Sequence, residues 1–131
     1  MNNDNPVVHF EMPYEDAKRV ADFYQKAFDW GMDDTGNEMG NYIVAKTTET
    51  GDNGRPIKAG SINGGFYLKK TDRPAQYPSL VIAVNDMSIS IQSVTDAGGK
   101  ILGEPIDIPT VGKYVSFTDS EGNRVTLLQP M

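Results

Sequence analysis

The sequence predicts an α+β domain built from two tandem βαβββ modules. A strand-like stretch at residues 7–12 runs into an amphipathic helix, and a second strand–helix pair follows at 80–97. The two pairs share one register: Asp16 and Asp86 open the helices, Ala27 and Ala97 lie near their ends, and each pair is 70 residues apart. A fixed period of this length reads as one supersecondary unit used twice. The modules cover about 6–70 and 78–131 of a single domain, 1–131.

Val7 to Met12 form a strand-like run closed by Pro13. Alternation along it puts His9 and Glu11 on one face and Val8, Phe10 and Met12 on the other. Ala17, Val20, Ala21, Tyr24, Ala27 and Phe28 then recur at helical spacing. Glu15 and Asp16 suit the positive end of that helix, and Gly31 is the expected stop. Residues 32–41 read as a loop, 42–48 as a strand and 50–56 as an exposed turn rich in Gly, Asn and Pro. Residues 61–69 read as a strand holding Gly64 and Gly65, and paired glycines there mark a bulge or a close approach by ligand or backbone. Residues 70–78 form a polar connector.

The second module opens with an apolar strand at 80–84, capped into a helix by Asn85 and Asp86. Residues 87–97 are ambiguous by pattern alone, since Ser88 to Ile91 alternates like a strand while Met87, Ile91 and Val94 fit a helix. The 70-residue register decides for helix, ending at Gly98 and Gly99. Strands follow at 100–102, 112–118 and 124–129, the last two joined by a turn at 119–123.

Composition narrows the function classes. The chain has 131 residues, 38% apolar and 23% charged, which suits one ordered domain with a real core. Eighteen acids against twelve bases give a net charge of −6, with no cluster of Lys and Arg, so nucleic acid and anionic membrane are not expected partners. The absence of cysteine excludes disulfides, thiolate catalysis and Cys-based zinc sites. With neither a signal-like start nor an apolar run near the roughly 20 residues that span a bilayer, a soluble cytoplasmic protein is expected.

His9-Phe10-Glu11-Met12-Pro13, then Asp16, Phe23-Tyr24 and Phe28-Asp29-Trp30-Gly31, resemble the vicinal oxygen chelate superfamily, which includes glyoxalase I, bleomycin-resistance proteins and extradiol dioxygenases. Val84-Asn85-Asp86, Ala97-Gly98-Gly99, Phe117-Thr118-Asp119 and Glu121-Gly122-Asn123 resemble its second unit. Ile62-Asn63-Gly64-Gly65 resembles a subgroup of small glyoxalase-like proteins. The resemblance implies a cupped mixed sheet, the glyoxalase/bleomycin-resistance fold, with a small-molecule site between the modules and a homodimer as the working form. In metal-dependent members a divalent ion, held by the first and last strands of both modules, polarises substrate oxygens.

Carried over position by position, only His9 matches a strong ligand of that family. Its counterpart 70 residues on is Ser79, where metal-binding members usually have His, and Thr126 stands where the last strand should supply Glu. The fourth position falls near Asn63 to Tyr67, and none of those residues is Glu or His. The residues alone agree. A transition ion generally needs three or four ligands from His, Cys, Asp and Glu, and the chain has one histidine, with Glu11 beside it. No cofactor is therefore expected, a divalent metal being the alternative.

The pocket residues so expected are His9, Glu11, Asn63, Tyr67, Ser79, Tyr114 and Thr126, with His9 and Glu11 as the catalytic pair if there is one. A His–carboxylate pair can do acid–base work, or it can be a structural hydrogen bond. Ser79 and Thr126 read equally as ordinary strand hydroxyls. Trp30, Phe28 and Phe66 could line an aromatic pocket wall, though most aromatics of a small domain are core and Trp30, just past the helix, reads as packing. No nucleophile elbow supports a serine hydrolase, and the sequences after Gly99 and Gly112 lack the Ser or Thr of a phosphate loop. The leading expectation is a metal-independent protein that binds a small apolar or mixed-polarity ligand, by sequestration or sensing. The alternative is a glyoxalase-like lyase or isomerase using His9 and Glu11, with a non-standard metal site or with metal-free proton transfer. A dimeric module without a ligand is the third.

Overall fold

The structure, a computed structural model, describes residues 4–131. The chain divides into two compact units, His9–Pro78 and Ser79–Met131 with the segment up to Val8. The elements run β1 (Val7–Tyr14), α1 (Ala17–Phe28), β2 (Gly31–Asp34), β3 (Ile43–Lys46) and β4 (Asn63–Leu68), then β5 (Ser79–Ala83), α2 (Met87–Asp96), β6 (Lys100–Ile108), β7 (Gly112–Thr118) and β8 (Arg124–Pro130). The first unit orders its strands β2-β3-β4-β1, with β4 and β1 parallel and the other pairs antiparallel. The second orders them β6-β7-β8-β5, with β8 and β5 parallel. This is the α+β architecture of paired βαβββ modules that the sequence predicts. Among the described residues no helix is long and apolar enough to cross a membrane.

The two helices start alike. The Asp16 carboxylate accepts from Arg19 N at 3.0 Å, and that of Asp86 accepts from Ile89 N at 3.0 Å. Each satisfies an amide that the first helical turn leaves without a partner. The helices end differently. In α1 the stop is Asp29, which turns left-handed (φ 58°) and returns its amide to Gln25 O at 2.9 Å. Gly31, expected as the stop, instead opens β2. In α2 the chain leaves through Gly98 (φ 99°), with Gly99 N bonded to Val94 O at 2.9 Å.

One face of α1 packs on the sheet of the first unit. Phe66, Ile43, Ala45 and Tyr14 form the buried centre, and Phe10, Met12, Val20, Tyr24, Trp30 and Leu68 close around it. Trp30 stacks on Tyr24 with centroids 4.7 Å apart. In the second unit Val84, Met87, Val115, Phe117 and Leu127 are the centre, with Ile82, Ile91, Val94, Ile101 and Val125 around them. Burying each such side chain contributes about 1.5–3 kcal/mol.

Three local expectations need correcting. Pro13 does not close β1, which runs on to Tyr14; Tyr14 O still accepts from Lys69 N at 2.9 Å, so the strand loses only the proline's own donor. Residues 31–34, Gly-Met-Asp-Asp, form a strand rather than the start of a loop, because Met32 packs into the core while the aspartates break the apolar alternation. β6 extends to Ile108 despite Gly103 and Pro105, since a register shift between Leu102 and Ile106 absorbs both on an edge strand.

Candidate functional site

Alternation divides the first unit's sheet into two faces. Phe10 and Met12 of β1 and Phe66 and Leu68 of β4 go to the α1 side. His9 and Glu11, with Asn63, Gly65 and Tyr67, therefore share the face away from the helix. Parallel pairing sets His9 beside Asn63, Glu11 beside Gly65 and Pro13 beside Tyr67. From β3, Val44 lies next to Gly65. The expectation for the glycines resolves as close approach without a bulge, since the β1–β4 register runs unbroken from His9 to Tyr14. What approaches is aromatic: Gly64 faces the Phe10 ring, and Gly65 faces the Tyr42 phenol.

Tyr42 completes the site. Its carbonyl accepts from Thr35 N at 3.0 Å and from Thr35 Oγ1 at 2.6 Å, fixing the backbone just before β3. Its hydroxyl lies 2.9 Å from His9 Nε2 and is also hydrogen-bonded to Glu11. A phenol has one proton, and the bond to Glu11 raises the phenol's pKa, which marks the phenol as the donor in that bond. The Tyr42 hydroxyl therefore donates to Glu11, and His9 Nε2–H donates to the Tyr42 oxygen. Proton bookkeeping thus assigns the tautomer, leaving Nδ1 as the acceptor nitrogen. The expected His9–Glu11 pair is real as a shared face, but it is joined through Tyr42.

Burial sets the protonation states. Desolvation lowers the His9 pKa from 6.5 to about 4, so the imidazole is neutral at neutral pH. Desolvation first, and then the Glu11 charge and hydrogen bond, raise the Tyr42 phenol far above its usual range. The arrangement is a neutral imidazole, a protonated phenol and a carboxylate in series, able to offer a hydrogen-bond acceptor or to move a proton.

The other nominated residues divide. The Asn63 side-chain oxygen accepts from Thr47 N at 2.9 Å, and its amide nitrogen donates to Thr50 Oγ1 at 2.9 Å. That amide ties down the β3–β4 connection. Tyr67 shares the His9 face, with its hydroxyl buried. Ser79, Tyr114 and Thr126 belong to the second unit, on the sheet face away from α2. There Thr126 Oγ1 lies 3.1 Å from Ser116 Oγ, and Arg124 donates to Ser116 Oγ at 3.3 Å. Sequence reasoning missed Tyr42, Ser116 and Arg124. Arg124 could have been found by stepping two residues back from Thr126 along one strand face.

The donors do not match a transition-metal site of the family's kind. Among the described residues no group of three or more His, Cys, Asp and Glu side chains is placed to hold an ion. Glu11 already accepts a hydrogen bond from Tyr42, Thr126 shares a hydrogen bond with Ser116, and the guanidinium against Ser116 brings positive charge to that strand face.

Comparison with known proteins agrees with this architecture. A glyoxylase-like domain-containing protein of Didymella fabae is 31% identical over 116 residues, covering 86% of this chain and 84% of the relative. A protein of Mycobacterium bovis named as a glyoxylase is 31% identical over 81 residues, 61% of this chain; the match spans only 31% of that relative's length. Among solved structures, a hypothetical protein from Bacillus halodurans C-125 superposes with a TM-score of 0.67 at 15% identity, covering 98% of this chain and 96% of the other. Methylmalonyl-CoA epimerase from Mycobacterium tuberculosis superposes with a TM-score of 0.64 at 13% identity, covering 95% and 87%. These structural likenesses show the fold. The family model for the Glyoxalase/Bleomycin resistance protein/Dioxygenase superfamily matches residues 7–127, and the chain belongs to that superfamily.

Proposed function

We propose that this protein binds a small molecule on the His9 face of its first unit, without the family's standard metal ion, and acts by sequestration or sensing. The observation that carries the reading is the hydrogen-bonded series His9–Tyr42–Glu11. It fixes a neutral imidazole whose Nδ1 accepts a hydrogen bond from a ligand hydroxyl or amide. The surrounding Val44, Gly65 and Tyr67 suit a ligand of mixed polarity. With a pKa of about 4, the imidazole carries a proton in roughly one molecule in a thousand at pH 7. A general base works best with a pKa near the working pH, so His9 is better suited to holding a ligand than to driving proton abstraction.

The test is a thermal-shift screen of hydroxylated ring and carbonyl compounds against chelator-treated protein. The reading expects at least one compound to raise Tm with chelator present and to lose that effect in His9→Ala. Hits that act only after metal is restored would contradict it, as would hits indifferent to His9→Ala.

A second reading is a glyoxalase-like lyase or isomerase working by metal-free proton transfer. The same series favours it, since Tyr42 links the imidazole to a carboxylate, and the relatives' names, glyoxylase and epimerase, are enzyme names. It expects exchange of the hydrogen next to the carbonyl of a bound compound in D2O, abolished in His9→Ala. Both readings include a homodimer in the cytoplasm; sedimentation at micromolar concentration checks the oligomeric state.

A further inference from the structure

We propose that Gly65 is a positioning residue of this site: the space its absent side chain leaves on β4 seats the Tyr42 phenol between His9 and Glu11. The inference rests on reading His9 as the acceptor for a ligand. It concerns how that acceptor is held, which the ligand itself does not determine.

Gly65 lies on a strand flanked on both sides, paired with Glu11 of β1 and Val44 of β3. A methyl group there would overlap the Tyr42 hydroxyl and the ring carbons Cζ and Cε1. The strand cannot readily retreat, because ladder hydrogen bonds hold it on both edges. Thr35 pins the Tyr42 carbonyl with two hydrogen bonds, so the backbone there is held and the part free to yield is the Tyr42 side chain. Any side chain at position 65 therefore expels the phenol. His9 Nε2–H then loses its acceptor, and Glu11 loses a donor.

Gly64 supplies an internal control. A methyl group there would overlap the Phe10 ring on the opposite face, toward α1. Two adjacent glycines of one strand thus serve different ends, Gly64 the core and Gly65 the site.

The test uses the whole chain labelled with 15N and no ligand, so its outcome is independent of whether a small molecule binds. His9 is the sole histidine, so one imidazole N–H cross-peak belongs to it. In the parent protein the hydrogen bond to Tyr42 protects this proton from exchange, and the cross-peak is visible. Loss of the cross-peak is expected in Gly65→Ala and Tyr42→Phe. Gly64→Ala is expected to lower Tm yet keep it. Retention in Gly65→Ala, or equal loss in both glycine variants, overturns the proposal. Should Gly65→Ala fail to fold, the same substitution in a Tyr42→Ala background decides, since the three nearest atoms that the methyl group would meet all belong to Tyr42. There Gly65→Ala is expected to leave Tm unchanged; a drop in Tm or failure to fold in that background overturns the proposal.

Discussion

At His9 the governing quantity is the cost of burying a group that would otherwise titrate near neutrality. The folded-state pKa is about 4 and the ordinary value is 6.5. Between those values the unfolded chain binds the proton and the folded chain does not. Folding stability from this residue is therefore full above about pH 6.5 and falls as pH drops toward 4, by about 3 kcal/mol in total. Urea unfolding should show a loss of about 2 kcal/mol between pH 7 and pH 5 that His9→Gln largely removes. An unchanged pH slope in that variant would count against a buried neutral imidazole. Tyr42→Phe keeps the ring and removes the bridge, and should cost about 1–3 kcal/mol in the same assay, because buried polar groups lose their partner. At this scale the sequence is partly legible. Alternation along β1 is enough to put His9 and Glu11 on one face. Tyr42 was hidden because it reaches them from the segment leading into β3, 33 residues after His9, and only the glycine that accommodates it left a trace.

The elements follow from short-range chemistry where that chemistry is strong. The caps at Asp16 and Asp86 are the clearest case, with the same extended backbone and the same 3.0 Å bond at positions 70 residues apart. Asp16→Ala and Asp86→Ala should each cost about 1 kcal/mol in equilibrium unfolding, while Asp22→Ala, an exposed mid-helix change, should cost well under that. A difference of more than about 1 kcal/mol between the two cap variants would break the parallel between the helices. The helix at 87–96 was legible only through that parallel, since its own pattern is ambiguous. β2 was not legible, because Asp33 and Asp34 hide a strand whose single inward residue, Met32, depends on a core that no local pattern displays. Pro13 misled for a related reason. A proline forbids its own amide from pairing, but the effect on the strand depends on whether that position needs a donor.

For the whole molecule, matching element order and a 70-residue register predicted two βαβββ modules, and the element order of the structure follows them. Each carries its own buried centre, so Phe66→Ala in the first unit should cost about 3–5 kcal/mol. What the repeat could not supply is the chemistry. It aligned His9 with Ser79 and so pointed to a ligand set with gaps, while the bridge that holds His9 has no counterpart in that alignment. The central claim is that His9 serves as a hydrogen-bonded neutral imidazole rather than as a metal ligand. Titrating chelator-stripped protein with zinc, nickel, manganese and iron(II), with bound metal and thermal stability measured together, tests it most directly. The account predicts no stoichiometric uptake and no change in Tm; tight one-to-one binding that disappears in His9→Ala would contradict it.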